Sequence, residues 1–171
     1  MRGAGAAGIS PVVEERPEQP YVFLRRSVTM DHFAEVADRL PELVGWLAAR
    51  DIPRAGAPFF RYNTVAPDGG AREVEAGIPV ASALEPEGDV GVALLPAGRY
   101  ATLTRVGHPE GLLAAVGTLL EWAREQGLEW DMRVVDGVER RGCRIESYRT
   151  DPREEPDPAK WETELAFRLA D

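Results

Sequence analysis

Two acidic residues and a tyrosine near the C-terminus are the side chains of this chain best suited to bind or transform a ligand. Residues 143–150 read Cys-Arg-Ile-Glu-Ser-Tyr-Arg-Thr, which is typical of a short β-strand. Glu146 and Tyr148 are two residues apart, so their side chains project from the same face of that strand. A second strand is predicted at 161–169, with Glu164 opposite its apolar face. If the two strands pair, we expect these three side chains to converge on one side of a sheet.

Carboxylates held close to an apolar core can serve structure, binding or catalysis, and the residues alone leave these uses open. Burying a carboxylate is unfavourable unless it is paired, hydrogen-bonded or available for a ligand. Two neighbouring carboxylates can have their pKa values driven apart, which suits general acid and base chemistry. The structural alternative for Glu146 is a salt bridge with Arg144 or Arg61. For Glu164 it is a salt bridge with Arg168.

The charge distribution excludes several classes of protein. The chain has 171 residues, 44% of them apolar, with 29 acidic and 20 basic side chains and a net charge of −9. That length suits one domain or two small, tightly joined units. Nucleic-acid binding requires a basic stripe, and no segment supplies one, so we expect no direct nucleic-acid binding. An acidic protein attracts cations, which favours a cationic or neutral small molecule as the partner.

The residue counts also argue against a metal, a cofactor and a membrane. Cys143 is the only cysteine, and His32 and His108 are far apart in the chain, so no metal-ligand spacing is present. No apolar run approaches the roughly 18 residues of a membrane span. The Gly/Ala-rich residues 1–10 lack the apolar stretch of a signal peptide and are interpreted as a flexible tail. We therefore predict a cytoplasmic protein without metal or cofactor, in which Cys143 is a core residue.

The predicted elements occur twice in the same order: strand, helix, strand, strand. The first set lies at 21–28, 33–50, 59–65 and 72–80, and the second at 99–106, 109–127, 143–150 and 161–169. Short strands are also predicted near Val12 and at 90–95. Pro41 lies inside the first helix and should kink or restart it, because proline lacks the backbone N–H that a helix interior uses.

The two sets also correspond residue by residue, which indicates an internal duplication. Residues 60–64 (Phe-Arg-Tyr-Asn-Thr) correspond to 146–150 (Glu-Ser-Tyr-Arg-Thr), and residues 75–80 correspond to 164–169. We predict an α+β fold of tandem duplicated strand–helix–strand–strand modules related by pseudo-twofold symmetry. Residues 11–171 then form a single domain of two modules, about 11–85 and 86–171. Ligands tend to bind where such units meet.

The order of elements and three short motifs resemble the GyrI-like small-molecule-binding family. The motifs are Gly-Ala-Pro-Phe-Phe-Arg-Tyr at 56–62, Leu-Pro-Ala-Gly-Arg-Tyr at 95–100, and Ile-Glu-Ser-Tyr at 145–148 with Glu-Leu at 164–165. The resemblance covers residues 10 to 170. The family includes effector-binding domains of multidrug-responsive transcription activators and stand-alone gyrase-inhibitor-like proteins, and we interpret this chain as a stand-alone member. The resemblance implies antiparallel sheets that form a concave ligand surface backed by helices.

The resemblance also implies which residues bind the ligand. Glu146 and Tyr148 match the family's Glu-x-Tyr strand, and Glu164 matches the acidic residue of its last strand. In that family a glutamate among aromatic side chains receives flat, often cationic, lipophilic compounds. Further candidates from the same sheet and nearby loops are Tyr62, Phe60, Glu75, Trp130 and Trp161. Ala166 and Arg168 stand where the family has an aromatic residue and a proline, which would widen the pocket and could neutralise one carboxylate.

Three functions from different classes follow from these residues and the resemblance. The first is a stand-alone protein that binds aromatic, lipophilic, neutral or cationic small molecules in drug sensing or sequestration. The alternative is a hydrolase that opens cyclopropane rings of DNA-alkylating antibiotics, as some stand-alone members of the resembled family do. Glu146 or Glu164 would then act on water while Tyr148 holds or protonates the ligand. The second alternative is a protein–protein inhibitor of DNA gyrase. The sequence identifies neither the ligand nor a protein partner or regulator.

Overall fold

The computed structural model describes residues 10–66 and 70–171. The predicted tail, residues 1–10, lies outside the described residues except for Ser10. The strands are β1 (Val12–Arg16), β2 (Gln19–Val28), β3 (Phe59–Tyr62), β4 (Thr64–Val65), β5 (Arg72–Pro79), β6 (Gly91–Leu95), β7 (Gly98–Val106), β8 (Met132–Val135), β9 (Val138–Arg141), β10 (Arg144–Tyr148) and β11 (Glu162–Arg168). The α-helices are α1 (Ala34–Ala37), α2 (Leu40–Ala49) and α3 (Leu112–Glu125).

Eight strands form one sheet in the order β1-β7-β11-β10-β3-β5-β2-β6, and every neighbouring pair is antiparallel. The remaining strands form a small sheet in the order β4-β9-β8. Each predicted helix lies between strands of the large sheet in sequence, as the repeat requires. The predicted α+β fold is therefore confirmed.

The large sheet is strongly curled because two short connections join strands from its opposite ends. β1 is the first strand in the sheet order and β2 is the seventh, yet only Pro17 and Glu18 separate them. Strands lie about 4.8 Å apart, so six spacings in a flat sheet would amount to roughly 29 Å. The Cα atoms of Arg16 and Gln19 can be at most about 11 Å apart. The sheet must therefore bend into a half-barrel, and the equally short link from β6 to β7 requires the same curvature.

The concave face of this half-barrel is buried although no helix of the described residues covers it. Tyr21, Phe59, Tyr100 and Ile145 form a cluster there with exposed fractions of 1 to 3%. These side chains are shielded because the strands that carry them wrap around them. Apolar burial on this face stabilises the curled sheet at roughly 25 cal/mol per Å² of surface removed from water.

A pseudo-twofold axis passes between β3 and β10, where the two copies of the repeat meet. Phe60 pairs with Glu146, and the flanking pairs Arg61–Ile145 and Phe59–Ser147 exchange places under the same rotation. β5 and β2 continue the sheet on one side as β11 and β7 do on the other, and β6 and β1 complete the two edges. The duplication seen in the sequence is thus confirmed in the strand register.

The helices cover the convex face and leave its centre between them. α2 packs through Leu43 and Leu47 on β2 and β5, and α3 packs through Val116 and Leu119 on β7 and β11. The predicted first helix is broken as expected: α1 ends before Asp38, and Pro41 sits in the first turn of α2, where its missing N–H has no helical partner in any case. No helix in the described part of the chain is long and apolar enough to cross a membrane.

The hairpin β8–β9 lies between the predicted helix at 109–127 and the predicted strand at 143–150, in a segment for which the sequence analysis predicts no element. Its turn has Asp136 at φ 52° and Gly137 at φ 79°. Two consecutive positive φ angles define a type I′ hairpin turn, for which Asp-Gly is a preferred dipeptide. The dipeptide was therefore an available signal, and the hairpin pairs with β4 to extend the small sheet.

Candidate ligand-binding site

The strand register places the two C-terminal carboxylates on opposite faces of the sheet. Glu146 pairs with Leu165, whereas Glu164 pairs with Ser147. Directly paired residues share a face, so Glu164 lies on the concave face and Glu146 on the convex, helix-bearing face. The expectation that Glu146, Tyr148 and Glu164 converge on one side is therefore wrong. The physical reason is that a one-residue difference in register moves a side chain to the other face, and the sequence did not determine that register.

Glu146 belongs to a group of aromatic side chains at the pseudo-twofold axis, which we call the axial cluster: Phe33, Phe60, Tyr62, Glu146 and Tyr148. Tyr148 donates a hydrogen bond of 2.8 Å to Oε2 of Glu146, and Tyr62 donates one of 3.2 Å to the same oxygen. The Phe60 ring meets the rings of Phe33 and Tyr148 edge-on at centroid distances of 4.9 and 5.3 Å. The cluster is thus a carboxylate enclosed by four aromatic rings.

The position of the axial cluster follows from the internal repeat. Phe60 and Glu146 are equivalent residues that face each other across the axis, in the strip of convex face that α2 and α3 leave between them. α1 borders this strip and contributes Phe33 from the residue just before it. Glu146 is 8% exposed, whereas Phe33 and Tyr148 are partly exposed. A ligand would therefore reach the carboxylate by way of these two rings.

The electrostatics of the axial cluster make the protonated form of Glu146 more favourable than it is for a glutamate in water. Burial raises the pKa of Glu146 above its usual value, although hydrogen bonds from Tyr148 and Tyr62 and the positive charge of Arg144 oppose this. Burial also raises the pKa of both tyrosines, so they remain hydrogen-bond donors. Within the described residues Glu146 has no salt-bridge partner within 4.0 Å. A buried carboxylate without a counter-ion is the arrangement expected where a cationic ligand supplies the charge.

The salt bridges proposed as alternatives for Glu146 are absent from the described residues. Arg61 lies on the concave face, and Arg144 is directed to the rings of Tyr62 and Phe167, with its guanidinium carbon 5.6 and 4.6 Å from their centroids. Burial lowers the pKa of Arg144, and its Nε has no hydrogen-bond partner among the residues that the structure describes. Arg144 thus contributes positive charge to the neighbourhood of Glu146 without a direct ion pair.

The concave face carries the other two candidate carboxylates, Glu75 and Glu164, at equivalent positions of the repeat. Glu75 accepts hydrogen bonds from the hydroxyl of Tyr21, from Asn63 at 2.9 Å and from Arg25 at 3.3 Å. It is 3% exposed. These contacts satisfy Glu75 within the fold.

Glu164 is held by two arginines that the sequence reading did not identify. Arg16 lies 2.9 Å from one of its oxygens and Arg149 lies 2.6 Å from the other. The predicted alternative partner, Arg168, instead pairs with Asp131 at 2.9 Å. Arg16 comes from β1 at the far end of the chain, so sequence spacing contained no signal for this contact.

The two candidate tryptophans lie away from the axial cluster. Trp130 packs edge-on against Phe167 at 5.8 Å within the core under α3. The indole N–H of Trp161 donates to the backbone carbonyl of Glu155 at 2.7 Å and anchors the loop before β11. Cys143 is a buried free thiol on the concave face, as predicted. Among the described residues, no group of three or more His, Cys, Asp or Glu side chains is arranged to hold a metal ion.

The fold and this buried, aromatic-lined carboxylate define a small-molecule-binding protein of the duplicated half-barrel type. The chain belongs to the family of GyrI-like small molecule binding domains, whose model matches residues 10–170. No curated protein sequence matches the chain. The match of the family model confirms the resemblance predicted from the sequence.

Solved structures share the fold. The EcmrR C-terminal domain is 19% identical, with a TM-score of 0.70 over 95% of this chain and 98% of that domain. EcmrR in the cryo-EM structure of its DNA complex in EcmrR-RPo is 18% identical, with a TM-score of 0.76 over 96% of this chain. This chain spans only 58% of that EcmrR chain. SAV2435 bound to tetraphenylphosphonium is 11% identical, with a TM-score of 0.60 over 95% of this chain and 94% of that one.

Proposed function

We propose that this protein binds aromatic, lipophilic cations at the axial cluster, in drug sensing or sequestration. The observation that carries the proposal is the Glu146 carboxylate, which is buried, contacted by two phenols and free of a direct ion pair among the described residues. A bound cation would replace the missing counter-charge. The faces of Phe33 and Tyr148, which are partly exposed, would contact its rings, because aromatic faces attract cations and stack on flat ligands.

The relatives support this class of ligand. SAV2435, which has the same fold, is described as bound to tetraphenylphosphonium, a lipophilic cation with four phenyl rings. The EcmrR domain is part of a protein that forms a complex with DNA, and no such complex is proposed for this chain. Arg144 and Arg72 oppose cation binding, since the positive charge of each acts on Glu146. We therefore expect ligands with delocalised charge to bind better than compact ammonium ions.

Isothermal titration calorimetry with tetraphenylphosphonium tests the proposal. The wild-type protein should bind it saturably, and Glu146→Gln should weaken binding at least about tenfold, which is 1.4 kcal/mol. Glu110→Gln is the matched control, because it also removes one negative charge but from a side chain that is 88% exposed. Equal affinities for the wild type and both variants would show that Glu146 does not bind the cation.

A second candidate function is the opening of cyclopropane rings in DNA-alkylating antibiotics. The raised pKa of Glu146 and its two phenol neighbours favour it, since a carboxylate with a raised pKa is a stronger general base for water. A protein described as a hydrolase from Listeria innocua shares the fold at 12% identity, with a TM-score of 0.59 over 94% of this chain and 92% of that one.

Mass spectrometry after incubation with a cyclopropane-containing alkylating compound separates the two candidates. A product heavier by one water, formed by the wild type and not by Glu146→Gln, would establish the hydrolase. A compound recovered unchanged from the native complex would establish a binding protein.

A further inference from the structure

A cavity lies on the concave face, on the other side of the sheet from the axial cluster. Its volume is about 250 Å³, and residues from all eight strands of the large sheet line it. The apolar part of its wall includes Phe59, Leu95 and Ile145, and the polar part includes Ser147, Arg149 and Glu164. Pockets that bind drug-sized ligands have volumes of roughly 300–1,000 Å³, so this smaller cavity suits a compound with a single ring.

The cavity exists because the two copies of the repeat carry side chains of different size. Arg61 and Ser147 are equivalent residues beside the axis. Arg61 extends across its half of the concave face and donates to the hydroxyl of Tyr21 at 2.9 Å and to the carbonyl of Gly142 at 2.7 Å. Ser147 is too short to do the same, and the space opens beside Glu164.

The charged side chains that line the cavity are Arg16, Arg149 and Glu164. Arg16 and Arg149 each contact one oxygen of Glu164, so both oxygens of this carboxylate are already engaged. Outside the wall, Arg16 also pairs with Glu14, and Arg149 with Glu162. Each guanidinium has five N–H donors, so these contacts leave donors available to an anion.

Arg149 is the guanidinium best placed to receive a ligand. Its side chain is 44% exposed, whereas that of Arg16 is 24% exposed and lies over the Tyr100 ring at 5.6 Å. An arginine fork matches a carboxylate in two parallel hydrogen bonds. Ser147 adds a hydroxyl on the same wall.

We propose that this cavity is a second binding site and that it takes a small aromatic carboxylate. The ring lies against Phe59, Leu95 and Ile145, and the carboxylate is bound by Arg149 and Ser147. The site does not depend on the proposed cation site, because Glu146 projects from the opposite face of the same sheet. The two sites select opposite charges.

Three probes with the same ring and different charge test the proposal: benzoate, benzamide and benzamidine. Calorimetry or ligand-observed NMR should show that benzoate binds at least tenfold more tightly than either of the others. If benzamide or benzamidine binds as tightly as benzoate, or if benzoate does not bind, the proposal is wrong. Loss of tetraphenylphosphonium binding would refute only the axial site, so failures of the two sites can be told apart.

Two variants locate the benzoate site. Ser147→Leu fills the cavity without changing its charge and should lower benzoate affinity at least tenfold, while Arg149→Gln should lower it at least fivefold. Arg124→Gln is the matched control, since it removes another arginine paired with a glutamate, on the outer surface of α3, and should leave benzoate affinity unchanged. Thermal denaturation establishes that each variant is folded. If Arg149→Gln does not fold, Ser147→Leu decides the question, and unchanged affinity in a folded Ser147→Leu variant overturns the proposal.

Discussion

The two halves of the concave face have the same backbone register and differ in their side chains. In the N-terminal half, Tyr21, Glu75 and Arg61 form a closed hydrogen-bonded network. In the C-terminal half the equivalent residues are Tyr100, Glu164 and Ser147, and there the hydroxyl of Tyr100 donates to the carbonyl of Pro96 at 2.6 Å instead. One half is thus filled and the other contains a cavity. A duplicated scaffold preserves strand pairing, while side-chain size decides where a ligand can enter.

The two halves of the concave face also differ in side-chain size at a neighbouring pair of equivalent positions. Phe59 in the N-terminal half corresponds to Ile145, and Gly77 corresponds to Ala166. A Cβ at Gly77 would lie 2.7 Å from the Phe59 ring, so the larger ring requires the glycine. In the C-terminal half the smaller Ile145 leaves room for the methyl group of Ala166. Each half is therefore packed in its own way.

The largest expected effect concerns the two equivalent glutamates. Glu75→Ala leaves Tyr21 and Asn63 without their buried acceptor, and removing one partner of such a network costs roughly 3–5 kcal/mol. Glu164→Ala frees Arg16 and Arg149, which are partly exposed and can rehydrate, so the cost is about 1–2 kcal/mol. Urea denaturation of both variants measures the difference. If Glu164→Ala proves as destabilising as Glu75→Ala, the C-terminal half of the concave face is as tightly packed as the N-terminal half.

The next effect tests the packing of Phe59 on Gly77. Gly77→Ala should lower the free energy of unfolding by about 1–3 kcal/mol, because the added methyl group overpacks the concave face. Phe59→Ile, which introduces the residue of the other half, should restore at least half of that loss. A double-mutant cycle with urea denaturation gives the coupling energy.

A glycine in open space is the control for this prediction. Apart from its chain neighbours and the backbone of α3, no atom of the described residues lies within 4 Å of a Cβ added at Gly117, so Gly117→Ala should stabilise the protein by about 0.4–1 kcal/mol. If Gly77→Ala behaves like Gly117→Ala, the contact with Phe59 does not constrain the N-terminal half.

The smallest effect concerns the axis, where the equivalent residues are the apolar Phe60 and the ionisable Glu146. The folded protein raises the pKa of Glu146, whereas its unfolded value is about 4.3. Between these two pKa values the folded state binds more protons, so the free energy of unfolding falls as pH rises through this window. The Glu146→Gln variant lacks this dependence of the free energy of unfolding on pH.

Thermal denaturation at several pH values measures this effect. Glu146→Gln should melt above the wild type at pH 7, because glutamine carries no charge that burial would penalise. At pH 4 the two proteins should melt together. A wild-type protein that gains stability as pH rises through the window would show that Glu146 is stabilised as an anion by Arg144 and the tyrosines.

The internal repeat was the most informative feature of the sequence. It predicted the order of the elements, the pseudo-twofold relation and the correspondence of Phe60 with Glu146, because duplicated residues keep their periodicity and turn positions. It also led to the family that matches residues 10–170. The hairpin β8–β9 was missed although its Asp136-Gly137 turn was readable from the sequence alone.

The sequence by itself determined the elements, the repeat and the chemical character of the candidate residues. Only the tertiary structure decided which of them meet. Because Ser147 pairs with Glu164, the carboxylates of Glu146 and Glu164 lie on opposite faces of the sheet. The curl of the sheet places Arg16 of β1 in contact with Glu164. Both results depend on contacts between residues distant in the chain, which local periodicity does not encode because a register shift of one residue leaves every local pattern unchanged.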